Sequence, residues 1–246
     1  MKKLSEISTL PPADLNRKDA EKATKKYVDR LGELQSMLFA QKKHGVLVVF
    51  QGMDASGKDG AARKVFRDCH PQGIHIKSFK KPTEEEFAHD FLWRVHKETP
   101  PKGMIHIFNR SHYEDVLIQR VHKWIDEETV DRRFASINAF EQLLEYGANT
   151  VIFKFLLHLS YDQQEIELQQ RIDEHDKHWK HNGNDWKERE HWDKYQEAYQ
   201  EVVDRSVVPW HIIPVDKRWY RDYLVSKTMV ETLEGLDLAY PPMAED

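Results

Sequence analysis

Hydrophobic residues in this chain follow two patterns. Short runs rich in β-branched and aromatic residues end at turns, and longer charged stretches carry apolar residues three or four positions apart. The short runs predict five strands, at residues 46–50, 74–79, 104–108, 151–159 and 210–215. Because strands that alternate with helices form parallel sheets, we expect an α/β fold of three layers, with helices on both faces of a five-stranded parallel sheet.

Apolar spacing also predicts the helices. A long amphipathic helix follows the Pro11-Pro12 break and carries Tyr27, Leu31 and Leu38 on one face. Further helices are predicted to begin at residue 60, to span 84–96 and 132–146, to flank the polar residues 175–185, and to end near residue 235. In the helix after the polar stretch, the apolar stripe at residues 195, 198, 199 and 202 has the spacing of a core-facing side.

One segment differs from the rest in composition. Residues 173–195 are dense in charge, histidine and tryptophan and poor in aliphatic side chains, so we expect them to lie outside the core. No repeat or linker marks a second domain. The sequence therefore predicts one domain over residues 1–246, with an N-terminal helical extension at about 1–44 and a lid insertion at about 162–195, which we call the lid.

Composition narrows the class of protein. With 39% hydrophobic residues among 246, the chain can bury a sizeable core, and its net charge of -5 argues against a nucleic-acid coat. The single cysteine, Cys69, excludes an intrachain disulfide framework, and no run is apolar enough for a signal peptide or a spanning helix. We therefore expect a cytoplasmic protein with no nucleic-acid or membrane partner, which binds its ligand in a cleft.

The stretch GMDASGKDG, residues 52–60, has the spacing of a phosphate-binding loop. In such loops the backbone N–H groups and the N-terminus of the next helix surround phosphate oxygens, and the lysine, here Lys58, adds a positive charge. The preceding apolar run and the following helix supply the context that this motif requires. We expect Gly57, Lys58, Asp59 and Gly60 to contact phosphate.

Two acids distinguish this loop from its common form. Asp59 stands where a serine or threonine usually holds magnesium, and its carboxylate repels phosphate unless a cation intervenes or the side chain turns away. Asp54 lies inside the turn, so it is the better candidate for binding the metal or orienting the attacking group. Its alternative role is to stabilise the turn through its own backbone.

The third strand is followed by FNRSHYED, residues 108–115. In a P-loop protein this strand end lies beside the phosphates, where a metal-binding acid is expected. Here the strand ends on Asn109, whose amide oxygen can bind magnesium but carries no charge. The negative charge that the metal requires must then come from Asp54, together with Glu114 or Asp115. Arg110 is placed to bind phosphate oxygens through two N–H groups.

These motifs resemble the polyphosphate kinase 2 family. The resemblance runs from about residue 45 to 233 and rests on GMDASGKDG, FNRSHYEDV, RIDEHDKHWK and WKEREHWDKYQEAYQEVV. It implies a fold like thymidylate kinase and phosphate transfer between inorganic polyphosphate and nucleotides, with no ATP needed as donor. FNRSHYED is similar to the subgroup, class III, that phosphorylates both nucleoside monophosphates and diphosphates.

The resemblance also implies roles for single residues. It makes Asp54 a catalytic, magnesium-associated residue, Lys58 the loop lysine and Arg110 a phosphate-binding residue. Asn109 stands where other members carry a second magnesium aspartate. Glu114 stands where other subgroups have asparagine, and so bears on the choice of acceptor. Arg171 matches an arginine of the lid that contacts phosphates.

A polyphosphate channel must be lined with cations, and several basic residues lie near predicted loop ends and the lid. Each is either a channel residue or a solvated surface charge. The phosphate-binding candidates besides those named above are Lys64, Arg67, Lys80, Lys81, Arg120, Lys123, Lys177 and Lys180. The predicted acceptor-nucleotide residues are Lys81, Pro82, Thr83, Asp90, Arg94, Asn109, Arg110 and Glu114.

Histidine and tryptophan in the lid leave alternatives open. His175, His178 and His181 recur at a spacing of three, but no cysteine or carboxylate set completes a zinc site, which favours phosphate contact or solvent exposure. Trp179, Trp186 and Trp192 either stack on a base or anchor the lid to the core, and anchoring is the commoner use of such rings.

The sequence therefore predicts a Mg²⁺-dependent kinase, with Mn²⁺ as an alternative ion, that transfers phosphate from polyphosphate to AMP or ADP and forms ATP. Asp54 and Asn109 are the predicted metal residues. A kinase of the same fold that uses ATP is one alternative, and a nucleotide-binding regulatory module without turnover is another. The long N-terminal helix is a surface either for a second copy or for its own domain.

Overall fold

A five-stranded sheet forms the centre of the protein, whose computed structural model describes residues 2–243. The strands are β1 (Gly45–Gln51), β2 (Ile74–Ser78), β3 (Ile105–Asn109), β4 (Thr150–His158) and β5 (Trp210–Pro214). They lie in the order β2-β3-β1-β4-β5, and every neighbouring pair is parallel. The predicted parallel sheet is confirmed, and each predicted strand agrees with the observed one within one residue at either end.

Ten α-helices lie before, between and after these strands within the described residues. They are α1 (Arg17–Gln41), α2 (Lys58–Val65), α3 (Glu84–Phe87), α4 (Trp93–His96), α5 (Ile118–Val121), α6 (Glu127–Ala148), α7 (Tyr161–Asp173), α8 (Gly183–Arg189), α9 (Trp192–Arg205) and α10 (Arg218–Glu234). Four short 3₁₀ turns occur at Leu4–Glu6, Pro71–Gly73, His112–Asp115 and His175–Lys180.

Helices cover both faces of the sheet, as predicted. All seven residues of β1 are buried, and their side chains alternate between two cores. Leu47 and Val49 belong to the core formed with α6 and α9, whereas Val46, Val48 and Phe50 belong to the core formed with α1, α2 and α10. This alternation, the two-residue period of a strand, explains why β1 reads as a continuous apolar run.

The single helix predicted over residues 84–96 is wrong. The chain forms two short helices there, α3 and α4, because two side chains bond the backbone locally. Thr83 and Glu86 form a reciprocal capping box that starts α3, and the Asp90 carboxylate accepts the Leu92 N–H at 2.9 Å and starts a new turn. The helix predicted at 132–146 extends from Glu127, since Asp126 caps it.

The lid is mostly exposed, as its composition indicates, but not entirely. Trp179 is 78% exposed and Trp186 is half-buried, whereas Trp192 packs against the core, edge-on to Tyr161, and anchors the lid. Asp185 and Arg189 are buried, contrary to the expectation for the segment. The predicted limits of the domain, residues 1 and 246, lie outside the described residues.

Candidate active site

The GMDASGKDG loop connects β1 to α2 at the carboxyl edge of the sheet. Gly57 has φ 90° at the start of α2, and a Cβ there would collide with the guanidinium groups of Arg218 and Arg221. Glycine adopts this left-handed φ without strain, and its lack of a Cβ leaves room for the two guanidinium groups. The Lys58 ammonium donates to the carbonyl oxygens of Gly52 at 2.7 Å and Met53 at 3.2 Å. The loop therefore wraps around its own lysine.

Lys58 lies in a strongly perturbing environment. Burial, together with the nearby charge of Arg110, lowers the pKa of Lys58 to about 8 despite the opposing carboxylates. Because this pKa lies close to neutral pH, a bound anion beside Lys58 raises it and keeps the ammonium group protonated.

The Asp54 carboxylate accepts a hydrogen bond from the Arg110 guanidinium. Neighbouring strands bring the two together: β1 and β3 pair in parallel, and the Arg110 N–H donates to the Phe50 carbonyl at 3.1 Å. Burial alone would raise the pKa of Asp54, but Arg110, Lys58 and Arg171 outweigh it and hold the pKa below its ordinary value. Asp54 is thus an ionised carboxylate paired across the site, not a stabiliser of its own turn.

Asp59 and Asn109 meet at the end of β3. The Asn109 side-chain amide donates to the Asp59 carboxylate, which turns that carboxylate sideways toward the end of β3. Asn109 donates through its amide nitrogen, which leaves its amide oxygen as an acceptor for a ligand. The position where a common P-loop carries a hydroxyl is therefore held by a carboxylate–amide pair.

A cavity of about 720 Å³ opens above the loop, and we call it the basic cavity. Ten basic side chains line it against four acidic ones. The basic residues are Lys58, Arg63, Lys80, Lys81, Arg110, Arg171, Lys177, Lys180, Arg218 and Arg221, and the acidic ones are Asp54, Asp59, Glu167 and Asp185. In a protein of net charge -5, this concentration of cations is a site for a polyanion.

A second cavity of about 230 Å³ lies on the opposite side of Asp54, and we call it the acidic cavity. Glu114, Glu188, Tyr195 and Tyr199 line it, with one cation, Arg110. The Tyr195 hydroxyl donates to Glu188 at 2.7 Å. Carboxylates and phenol rings suit the amino groups, hydroxyls and ring of a nucleoside better than a chain of phosphates.

The two cavities meet at four residues that line both, Asp54, Arg110, Asn182 and Asp185. Arg171 of α7 donates to the Asp185 carboxylate at 2.5 Å, which ties the lid across the junction. Burial and the neighbouring charge of Asp54 raise the pKa of Asp185, while Arg171 opposes them. The geometry can hold two anionic ligands end to end, with Asp54 and Arg110 between them.

The remaining predicted phosphate residues divide into two groups. Lys177 of the lid lines the basic cavity and donates to Gln170 at 3.0 Å. Arg120 pairs with Glu127 and Glu201, at 2.7 and 2.9 Å, and Lys123 is exposed. Arg120, Lys123 and Lys64 line neither cavity of the described site.

The structure brings few of the predicted nucleotide residues together. Lys81 lines the basic cavity, but Thr83 caps α3 and Asp90 caps the turn before α4. Arg94 is buried and donates to the Lys80 carbonyl at 2.8 Å, so it positions the loop that carries Lys80 and Lys81. Pro82, half-buried, lines neither cavity.

The acids of the FNRSHYED motif also separate. Glu114 lines the acidic cavity and accepts from Gln51 at 3.1 Å. Asp115 turns inward toward Arg94 and Arg133, at 3.8 and 3.9 Å, and burial raises its pKa to about 6. Glu114 is therefore the acid of this motif that can reach a ligand.

Sequence reasoning missed two arginines. Arg218 donates to the Ala55 carbonyl at 2.7 Å and to the Ser56 carbonyl, and Arg221 donates to the Gly57 carbonyl at 3.0 Å. Arg218 also pairs with Glu167 of α7 at 2.9 Å, which connects the loop to the lid. The signal was available, because residues after a parallel strand lie at the same edge as the loop, and Arg218 follows β5.

Sequence reasoning also missed a buried polar cluster beneath the FNRSHYED turn. Lys154 of β4 donates to Glu141 of α6 and to the Tyr113 hydroxyl, both at 2.6 Å, and all three side chains are fully enclosed. His112 lies 3.3 Å from Glu141. The cluster holds His112 and Tyr113 in place and so positions the turn between Arg110, at φ 62°, and Glu114.

A strand, a glycine loop and a helix around a buried lysine, at the carboxyl edge of a five-stranded parallel sheet, define a P-loop phosphotransferase. More specifically, the chain belongs to the polyphosphate kinase 2 family, whose model matches residues 14–240. The predicted family and fold are thereby confirmed.

The chain is similar to named relatives over most of its length. It is 48% identical over 215 residues to an AMP/ADP-polyphosphate phosphotransferase of Meiothermus ruber, with 86% of this chain and 80% of the relative covered. It is 42% identical over 229 residues to an ADP-polyphosphate phosphotransferase of Rhodopseudomonas palustris, with 87% and 79% covered. The crystal structure of polyphosphate kinase 2 from Arthrobacter aurescens superimposes with a TM-score of 0.90 at 37% identity, covering 100% of this chain and 94% of that one.

No helix among residues 2–243 combines the length and the apolar character that crossing a membrane requires.

Proposed function

We propose that this protein transfers the terminal phosphate of inorganic polyphosphate to AMP and to ADP. One observation carries the proposal: a basic cavity and an acidic cavity meet at Asp54 and Arg110. Membership of the polyphosphate kinase 2 family and the names of the relatives, which include AMP/ADP-polyphosphate phosphotransferase, support the same reaction.

Polyphosphate occupies the basic cavity, where the loop N–H groups, Lys58 and the lysines at 80 and 81 offset its charge. The acceptor nucleotide occupies the acidic cavity, with its terminal phosphate beside Arg110 and its nucleoside against Tyr195 and Glu188. We infer that the acceptor lies on the acidic-cavity side of Asp54 and not along residues 81–94.

The reaction is an in-line displacement. An oxygen of the nucleotide's terminal phosphate forms a new bond to the end phosphorus of polyphosphate, and the bond from that phosphorus to the next bridging oxygen breaks. The electron pair stays on the shortened polymer, and no proton transfer is required because the attacking oxygen is already ionised near neutral pH. The protein therefore contributes by positioning the two substrates and by neutralising the charge of the transferred phosphate through Lys58 and Arg110.

The residues fit a divalent cation that takes most of its ligands from phosphate. No group of three or more histidine, cysteine, aspartate or glutamate side chains within residues 2–243 forms a complete metal cage. Mg²⁺ typically uses one or two carboxylates plus substrate phosphates, and Asp54, with the amide oxygen of Asn109, provides such a set. When bound, Mg²⁺, or Mn²⁺ in its place, neutralises charge on the transferred group.

The test offers polyphosphate as sole donor, with Mg²⁺ and either AMP or ADP, and follows the nucleotides by chromatography. We expect ADP and then ATP from AMP, and ATP from ADP. Arg110→Ala should lose about 10³-fold or more of the rate, the scale for an arginine that stabilises transferring phosphate. Arg132→Ala is the matched control, since Arg132 is exposed and pairs with Glu128 on the same helix. Transfer only when ATP is supplied would overturn the proposal in favour of an ordinary nucleotide kinase.

A further inference from the structure

A third cavity, of about 430 Å³, lies behind the phosphate-binding loop between α1, α2 and α10. We call it the outer cavity. Its walls carry four basic side chains, Arg17, Lys25, Lys64 and Arg67, together with Trp219. Nothing in the transfer reaction at Asp54 uses these residues, and Arg17 and Lys25 belong to the N-terminal helix rather than to the sheet.

The acids near the outer cavity are already engaged. Asp222 accepts from the Arg221 guanidinium at 2.6 Å, and Glu21 accepts from Arg17 at 2.9 Å in an exposed pair. Arg67 pairs with its neighbour Asp68 at 3.4 Å in an exposed pair, whereas Lys25 and Lys64 have no carboxylate within 4.0 Å among the described residues. The outer cavity therefore presents an excess of positive charge on the surface of an acidic protein.

The outer cavity adjoins the basic cavity along two helices. On α2, Arg63 lines the basic cavity and Lys64 the outer one, and on α10 the same holds for Arg221 and Asp222. Arg67 follows the C-terminal end of α2, so the cations continue from Arg63 past Lys64 to the turn after the helix. Lys64 and Arg67 therefore extend the cationic lining beyond Arg63, beside the Arg221–Asp222 pair.

The basic cavity is too small to enclose a long polyphosphate chain. At about 720 Å³ it has the size of a single small-ligand site. It can enclose only the reacting end of a polymer, so the rest of a long polyphosphate must run across the outside of the protein. A path along α2 keeps the following phosphates beside cations, whereas the rest of the surface is on balance negative.

We propose that the outer cavity is a subsite for the distal part of long-chain polyphosphate and sets a preference for long donors over short ones. This inference rests on the proposed function. The ligand of the subsite is an inorganic polyanion, bound through Lys25, Lys64 and Arg67, with the wall of Trp219 closing one side.

The test compares donors of two lengths. Lys25→Ala combined with Arg67→Ala removes two cations that lie outside the reaction site, and kcat/KM is measured with tripolyphosphate and with a long-chain polyphosphate. We expect kcat/KM for the long chain to fall about fivefold, the scale of two exposed charge contacts, while that for tripolyphosphate stays unchanged. The salt dependence of the long-chain reaction should weaken by about 1 to 2 in log–log slope.

The matched control is Lys22→Ala combined with Lys26→Ala. These lysines are exposed on the same helix, carry the same charge and do not line the outer cavity. An equal effect of both double variants, an equal effect on both donors, or no effect on the long chain overturns the subsite. If the unsubstituted protein transfers nothing from polyphosphate of either length, the proposed function itself fails, and that outcome is distinct because it appears before any variant is made.

Discussion

The loop lysine shows how one residue links the geometry of the site to its chemistry. Lys58 is buried, donates to two loop carbonyls and lies near the guanidinium of Arg110, so its proton is held less firmly than that of an ordinary lysine. Phosphate binding needs the protonated form. Donor binding therefore depends on the charge of Lys58, and this charge changes with pH.

This environment predicts an alkaline limit to activity. Because the pKa of Lys58 in the free protein is about 8, kcat/KM for polyphosphate should be level below pH 8 and fall up to about tenfold per pH unit above it. In the complex, the negative donor raises the pKa, so kcat should fall only at higher pH. Steady-state rates between pH 6 and 10 measure the alkaline decrease of kcat/KM and that of kcat.

Lys58→Arg provides the control for this pH profile. Arginine stays protonated throughout the range, so the residual activity of the variant should lack the alkaline limb of kcat/KM. A limb of unchanged position in Lys58→Arg, or a wild-type kcat/KM that stays level to pH 10, contradicts the assignment.

At the scale of single residues, the motifs predicted the site residues that follow the ends of β1 and β3. Lys58, Asp54 and Arg110 follow strand ends in recognisable order, and the structure brings all three to one edge of the sheet. Arg218 contacts the loop from 162 positions away in the chain, and it was missed because it belongs to no motif, although its position after β5 indicated the same edge of the sheet. Thr83 and Asp90 were predicted to bind nucleotide, yet short polar side chains often serve as caps, as they do here.

Among the elements, the turn after β3 is supported from beneath by a buried charged cluster. Lys154 and Glu141 come from β4 and α6 and meet at 2.6 Å with no solvent exposure. Burial lowers the pKa of Lys154, while burial would raise that of Glu141 and the contacts from His112 and Lys154 lower it instead. Each charge is stable in the interior because the other is present.

Removing either member should destabilise the protein strongly. Lys154→Met and Glu141→Gln should each lower the free energy of unfolding by about 3–5 kcal/mol, because each leaves an unpaired buried group. The double variant should cost less than the sum by at least about 1 kcal/mol. Urea unfolding of the four proteins measures this cycle.

The exposed pair Lys227–Glu231, at 3.8 Å, serves as the reference for the cycle. Lys227→Met should cost less than about 1 kcal/mol. The cluster has no special role if Lys154→Met is as mild as Lys227→Met, or if the costs of the two buried substitutions simply add.

Periodicity predicted the strands and long helices well because the apolar pattern of each is set by burial on one or two faces. The break between α3 and α4 was missed because the apolar pattern continues through it while Asp90 bonds the backbone. The cluster of Lys154 and Glu141 was missed for a related reason. Lysine and glutamate normally indicate surface, and only the pairing across two elements makes their burial possible.

For the whole molecule, the order of the strands creates the site. β1 lies between β3 and β4, so the loop after β1 meets Arg110 on one side and the helix that follows β4, the first of the lid, on the other. Hydrophobic periodicity does not contain the strand order, and the resemblance to a family supplied the thymidylate-kinase-like arrangement. The two cavities and their common wall could be described only once the chain was folded.

We assign the donor to the basic cavity and the acceptor to the acidic cavity. Michaelis constants of two variants test this assignment most directly. Lys80→Ala combined with Lys81→Ala removes two cations of the basic cavity, and Glu114→Gln removes one charge from the acidic cavity without changing its shape.

We expect the lysine variant to raise KM for polyphosphate about tenfold and to leave KM for AMP within about twofold, on the scale of a charge-assisted contact. Glu114→Gln should do the reverse. If instead the lysine variant raises KM for AMP and Glu114→Gln raises KM for polyphosphate, donor and acceptor occupy the opposite cavities from those assigned here.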